Sequence, residues 1–181
     1  MNIIEILRRI QGGDRQAFAE VVKHYQRPLF GFLGRLGLTR GPAEELAQET
    51  FLRAWRNLGQ YDPDLGAFST WLFTIARNLA WNELSHAANK QEIAAEDDPP
   101  ELACDRPQPP EALALAQRRQ SLHAALQRLP LAERCVVALA YVGDFELAEI
   151  ARIEGCTVGA VKTRLHRARR KLYNLLEKEH G

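Results

Sequence analysis

The chain has 181 residues, 46% hydrophobic and 26% charged, enough to form the cores of one large or two small domains. Its net charge of +1 is unevenly spread: residues 1–90 carry +2, residues 91–111 carry −6 and residues 112–181 carry +5, an asymmetry that suggests a nucleic-acid-binding end and an acidic spacer. Cys104, Cys135 and Cys156 lie far apart without a CxxC or Cys/His cluster, which argues against a disulfide framework or a zinc site; no apolar run approaches the roughly 20 residues of a membrane span, and Met1–Arg9 acquires charge at once, so a cytoplasmic protein without membrane insertion is expected.

Nearly everything outside residues 91–111 carries helical periodicity, and alternating strand patterns are absent. Ile3–Ile10 is amphipathic and ends at Gly12-Gly13. Asp14 can cap the next helix, whose stripe is Phe18, Val21, Val22, Tyr25 and Leu29; Pro28 inside it can kink or divide it. Phe30, Phe32, Leu33 and Leu36 extend the apolar surface to the Gly37–Gly41 turn. Pro42 opens a helix over Ala43–Leu58, with Ala47, Phe51, Ala54, Trp55 and Leu58 on a core face and Glu45, Glu49, Leu52, Arg53 and Arg56 opposite. An exposed Leu among charges is ordinary, or it is the centre of a contact for a partner helix.

After a loop, Gly59–Gly66, a helix from Phe68 to about His86 buries Phe68, Leu72, Ile75, Ala76 and Leu79. Phe73, Arg77 and Trp81 share a second face, and Trp71, Asn78 and Asn82 a third. Aromatics beside amides and an Arg can stack and hydrogen-bond unpaired bases; a helix packed on two sides by neighbours shows the same pattern. Residues 91–111 hold five of the nine prolines and seven acids, the composition of a linker. From Ala112 the helical pattern returns through Leu113, Leu122, Leu126 and Leu129 to Pro130, and the apolar Glu133–Tyr141 forms the centre of the second domain. The fold class is therefore all-α: two small helical domains, residues 1–90 and 112–181, joined by an acidic Pro-rich linker.

The chain closes with a short amphipathic helix, Leu147–Glu154, a turn at Gly155-Cys156, and a basic helix capped by Thr157. Val158, Val161, Leu165, Ala168, Leu172 and Leu175 form its apolar stripe. The opposite face carries Gly159, Ala160, Thr163, His166, Arg167 and Arg170, flanked by Lys162, Arg164, Arg169 and Lys171, with no acid between Gly155 and Leu176. A surface helix with a solvated basic face is the bland alternative. The cap, the turn, the small residues and the unbroken positive sign together read as a DNA-binding helix-turn-helix.

The series EELAQETFLRAW, AFSTWLFTIARNLAWNEL, an acidic Pro-rich linker, LQRLPLAERCVVAL and EIARIEGCTVGAVKTRLHRARRKL resembles the extracytoplasmic-function sigma factors, the two-domain members of the sigma-70 family, over about residues 12–176. The resemblance implies a first domain that binds core RNA polymerase and the −10 promoter element and helps to melt it, and a second that reads the −35 element. It puts Gln48, Glu49, Leu52, Arg53 and Arg56 against the polymerase β′ clamp helices. Tyr61, Phe68, Trp71, Arg77, Asn78 and Asn82 fall at the −10 element. Gly159, Lys162, Thr163, Arg164, His166, Arg167 and Arg170 fall at the −35 element. Implied partners are core polymerase (including the β flap), promoter DNA and an anti-sigma factor, with no cofactor, no metal and no catalytic residue. Two departures stand out: Glu146 replaces the Ser often found before the first helix of the helix-turn-helix, so Asp144 is an alternative cap, and His166 stands where relatives also have an aromatic. A helix-turn-helix regulator with a helical sensor domain is the competing reading.

Overall fold

The computed structural model describes the backbone of residues 2–90 and 110–180 and the side chains of residues 2–86 and 116–177. Among these residues there are helices and turns and no strand. Helix α1 (Ile3–Gln11) starts at Asn2, whose side chain accepts from the Glu5 N–H at 3.4 Å, and stops at Gly12, followed by Gly13 at φ +100°. Asp14 caps as expected: its Oδ1 accepts from the Ala17 N–H at 3.2 Å, and a 3₁₀ turn over Arg15–Ala17 runs straight into α2 (Phe18–Arg35). Helix α2 passes unbroken through Pro28, giving up the one backbone bond for which proline has no N–H.

Helix α3 (Arg40–Arg56) begins two residues before Pro42, with Thr39 at its N-cap position, because proline is tolerated within the first turn, where N–H groups lack intrahelical partners. Leu58, assigned to this helix from the sequence, lies in the following 3₁₀ turn. It is buried all the same, with Ala43, Phe51 and Ala54, whereas Ala47 and Trp55 are only partly so. Helix α4 spans Phe68–Lys90.

The second half holds α5 (Pro110–Gln127), α6 (Leu131–Val142), α7 (Leu147–Glu154) and α8 (Val158–His180). The expected linker lies outside the described residues except for Pro110 and Glu111, which belong to α5; Cys104 and the Leu113 side chain are also outside them. Leu126 and Leu129 are buried, but Leu122, read as core, is 44% exposed. Cys135, Val136, Val137, Ala138 and Leu139 on α6 form the centre of this half.

The two cores join. Phe73 of α4, 1% exposed, lies 5.5 Å from the Phe32 ring of α2 and 4.9 Å from the Phe145 ring, in the turn before α7. The end of α2 is bolted to the second half by Arg134, whose Nη1 donates to Leu36 O at 2.7 Å and to Gln127 Oε1, while Nη2 donates to Gln127 O and Leu129 O. The turn between α2 and α3 fits there because residue 37 is glycine: its φ is +97°, and a Cβ would collide with Gln127 Oε1. Among the described residues no helix is long and apolar enough to cross a membrane.

Two outcomes follow from this packing. Truncating Phe73 to Ala removes a ring held between both halves and should lower unfolding free energy by about 3–5 kcal/mol in urea titration. His123 is half-buried and faces Gln127, Arg134 and Arg35; burial first, then those two guanidinium groups, lower its pKa below the usual 6.5. The folded chain thus favours the neutral ring. Its contribution is complete above about pH 6.5 and declines as pH falls toward the depressed value, so the urea midpoint should drop between pH 7.5 and 5.5, less steeply for His123→Gln.

Candidate nucleic-acid interface

The α7–α8 corner forms as its residues dictate. Gly155 takes the left-handed conformation, φ +61°, and Cys156 N–H closes onto Ala151 O at 2.9 Å. Thr157 Oγ1 then accepts from the Ala160 N–H at 3.1 Å and starts α8. At the head of α7 the N-cap position is Glu146, whose N–H donates to the Glu149 carboxylate at 3.0 Å. Asp144, the alternative cap, instead takes a turn at φ +50°.

Helix α8 buries Val161, Leu165 and Ala168, while Val158, its first residue and expected in the same stripe, is 38% exposed. Gly159, Lys162, Thr163, His166, Arg167 and Arg170 are all exposed. Thr163 donates its hydroxyl proton to Gly159 O at 3.0 Å, leaving its lone pairs facing outward. The basic residues of α8 sort into two groups. Arg164 is half-buried and paired with Glu154 at 3.1 Å, and Lys171 is paired with Glu133 at 2.8 Å. Lys162, Arg167 and Arg170 make no ion pair among the described residues, and Arg169 donates only to the Tyr141 hydroxyl, at 3.1 Å. Arg164, assigned by resemblance to DNA, is therefore engaged inside the fold.

Glu154 is the partner that sequence reasoning missed. Its side chain is fully buried and accepts from Arg164 on one oxygen and from Arg77 of α4, at 3.0 Å, on the other. The signal was a lone carboxylate at the end of α7 facing a basic run. Cys135 touches the same carboxylate; burial, reinforced by that negative neighbour, pushes its thiol up, so it stays protonated at neutral pH.

In the first half, Tyr61, Phe68 and Trp71 form a cluster with ring centroids 5.4–5.5 Å apart. Phe68 is its buried floor rather than a contact surface. Tyr61 donates its hydroxyl to Gly66 O at 3.1 Å and so braces the loop, while burial, with a smaller contribution from Asp62, raises its pKa. At the loop tip Leu65 is 77% exposed, an apolar residue that sequence reading passed over between Asp64 and Gly66. Trp71 is partly buried; Asn78 and Asn82 are exposed on the strip expected of them. Arg77 lies with Trp81 on the second face, as its spacing implies, and is engaged within the fold. Its guanidinium lies over Trp81, 4.4 Å from the ring centroid, donates to Asn78 Oδ1 at 3.3 Å, and is turned toward Glu154. Phe73 and Arg77 share a face by their i,i+4 spacing, and α7 with the turn before it covers that face.

On α3, Gln48, Leu52, Arg53 and Arg56 are exposed, Leu52 by 47%, and Glu49 is half-buried in an ion pair with Arg53 at 2.6 Å. An apolar centre within a charged rim is suited to docking another helix.

Comparison with known proteins bears directly on this arrangement. Residues 21–89 match the family described as Sigma-70 region 2, and residues 119–172 match Sigma-70, region 4. The chain is 31% identical to the ECF RNA polymerase sigma factor SigW of Bacillus subtilis (strain 168), over 95% of each chain. It is also 31% identical to the RNA polymerase sigma-H factor of Pseudomonas aeruginosa, over 96% of this chain and 93% of the relative. Among solved structures, CnrH in complex with the cytosolic domain of CnrY superposes with a TM-score of 0.68 at 26% identity, covering 96% of each chain. The sigma factor RpoE of Bartonella quintana, in complex with the anti-sigma factor NepR, has the same fold, with a TM-score of 0.72 at 24% identity over 88% of this chain and 96% of that one.

The sorting of α8 generates its own check. Arg164→Ala strips one partner from a buried carboxylate and should cost about 1–3 kcal/mol of stability. Arg167→Ala, on the solvent face, should stay within about 0.5 kcal/mol of the parent. Paired thermal melts decide it.

Proposed function

Because the chain belongs to the extracytoplasmic-function branch of the sigma-70 family, we propose that it binds core RNA polymerase, recognises −35 and −10 promoter elements and promotes DNA melting for transcription initiation. The observation that carries the reading is the outer face of α8, where small residues, hydrogen-bonding groups and carboxylate-free cations are exposed together above a buried stripe. Gly159 lets the start of α8 approach the groove wall. Lys162, Thr163, His166 and Arg167 contact bases and phosphates, with Arg170 and Arg169 at the backbone. Arginine can take two acceptors of a guanine edge at once, whereas the lysine and the flanking arginines supply salt-dependent affinity.

In this proposal the first half, residues 1–90, captures the opened strand. Trp71 and Tyr61 offer ring surface for an extruded base, the amides of Asn78 and Asn82 read its edges, and Phe68 supports the rings from below. Unstacking a base costs a few kcal/mol, and capture in a protein pocket offsets it. Gln48, Glu49, Leu52, Arg53 and Arg56 dock on the β′ clamp helices, and the second half, residues 112–181, reaches the β flap. An anti-sigma partner belongs to the same proposal and rests on family membership. Regulated transcription initiation of this kind involves binding steps only, with no bond made or broken by the chain itself.

Run-off transcription with core polymerase over a promoter library tests the reading, and absence of any promoter-directed product with active core would refute it. Three variants then separate its parts. Exchanging the charges, Glu49→Arg with Arg53→Glu, keeps the i,i+4 pair and helicity but should weaken polymerase binding. Arg167→Ala should lose −35 duplex affinity by about 1–3 kcal/mol, roughly 5- to 150-fold. Asn78→Ala holoenzyme should bind −35 duplex almost normally, open the promoter poorly, and recover on a template with a mismatched bubble; normal transcription of intact duplex would remove Asn78 from strand capture.

A further inference from the structure

Helix α8 has two flanks between its buried stripe and its outer face, and their charges meet different partners. At about 100° per residue, Arg164 and Lys171 fall on one flank and Lys162 and Arg169 on the other. The first flank is neutralised by Glu154 and Glu133, whose side chains are 0% and 10% exposed. The cations of the second form no ion pair among the described residues. There Arg169 Nε donates to the Tyr141 hydroxyl at 3.1 Å, with its Cζ 5.8 Å from the centroid of the Tyr141 ring. Tyr141 belongs to α6, outside the helix-turn-helix, and closes the apolar run read from the sequence as the centre of the second domain. It is nevertheless 59% exposed, so this ring stands outside the core beside a cation.

The chemistry of the partner decides what Arg169 can still do. A buried carboxylate takes the charge of Arg164 or Lys171 out of use. A phenolic hydroxyl is a neutral acceptor, so Arg169 keeps its whole charge. Only Nε is engaged, which leaves the two Nη groups of the guanidinium fork, a pair of donors that suits two phosphate oxygens at once. Ordering a long arginine side chain costs rotamer freedom. Fixing it on Tyr141 lowers that cost before DNA arrives, which raises affinity without a further DNA contact. Arg169 also borders the outer face, one turn from His166, a place from which a side chain reaches the sugar-phosphate edge of a groove rather than its floor.

Resting on the promoter role given above, we propose that Tyr141 is a positioning residue for binding of the upstream element: its hydroxyl holds Arg169 with the charge intact and both Nη groups free for a backbone phosphate of the duplex. Arg169 makes the contact, and Tyr141 acts only through it. The contact is independent of base sequence, because phosphates carry no sequence information directly. It adds affinity and register to the reading done by Lys162, Thr163, His166 and Arg167. Helix α6 thereby takes part in DNA binding without entering a groove.

The test uses holoenzyme and a promoter recovered from the run-off library, with duplex affinity measured across a salt titration on intact and scrambled −35 elements. Arg169→Ala should weaken binding to both duplexes by the same factor. It should also reduce the slope of log affinity against log salt by about 0.9, the value of one phosphate contact. Tyr141→Phe keeps the ring and deletes the hydroxyl. It should weaken binding to both duplexes about 2- to 10-fold, the worth of one hydrogen bond, and have no effect in the Arg169→Ala background. Tyr141→Glu supplies the kind of partner that the other flank has, and should lower the salt slope as Arg169→Ala does. Both positions are exposed, so each variant should melt with the parent, which separates a lost contact from unfolding. Parental affinity of Tyr141→Phe, an unchanged salt slope for Arg169→Ala, or a Tyr141→Phe loss that persists without Arg169 would overturn the positioning role and leave the promoter role in place. So would a Tyr141→Phe defect confined to assembly with core, which would make the pair a polymerase contact. A parent chain that directs no product with active core would strike the promoter role itself, and the role of Tyr141 with it.

Discussion

A carboxylate removed from water has to be met by positive charge and hydrogen bonds, or it neutralises or unfolds its surroundings. Glu154 meets that requirement with Arg164 from its own half and Arg77 from the other. Much else is arranged around this. The α7–α8 corner is held at a fixed angle by the Arg164 arm as well as by Gly155 and Thr157. The α4–α7 contact takes its register from the Arg77 arm, which places Phe73 against Phe145 and Thr70 against Glu149. The apolar contacts supply most of the attraction, since a buried ion pair roughly balances its own desolvation. What the charges add is orientation: in this placement of α7 on α4 all three groups are paired.

The same logic explains how one basic helix serves two purposes. Helix α8 is uniformly positive in sequence, yet in the fold Glu154 and Glu133 withdraw Arg164 and Lys171 to its flanks. What remains outward is a narrower band of cations around His166 and Thr163. Local helix chemistry decides which residues point away from the core; carboxylates from other helices decide which of those keep a charge to offer.

Elements whose cause is local were legible in the sequence. Helix α7 has the expected bounds, Gly155 and Thr157 make the turn and cap, and Val161, Leu165 and Ala168 are buried at the expected spacing. The strip of Asn78 and Asn82 faces solvent as its periodicity implies. Residues whose state depends on a distant neighbour were not legible. Periodicity assigns Phe73 and Arg77 to one face of α4 but cannot say that α7, some 77 positions further on, covers it. Leu122 satisfies an apolar pattern yet is exposed, and so is Val158 at the first position of its helix. Glu154 was the hardest case, because an acid at a helix end reads as ordinary surface until two arginines are seen to converge on it. The role of Pro28 was open for a different reason: one missing hydrogen bond is too small a cost to break a helix packed along its whole length.

Gly37 carries a demand of another kind. Gly13 has a similar positive φ with open space around its missing Cβ, so backbone shape alone constrains it. At Gly37 the constraint is doubled by Gln127 and Arg134, which occupy the volume a side chain needs, and those two residues belong to the other half. Both positions therefore favour glycine for its backbone, and at position 37 Gln127 and Arg134 must also shift before a side chain can enter. Position 37 is thus a residue of the first half whose room for a side chain is set by two residues of the second.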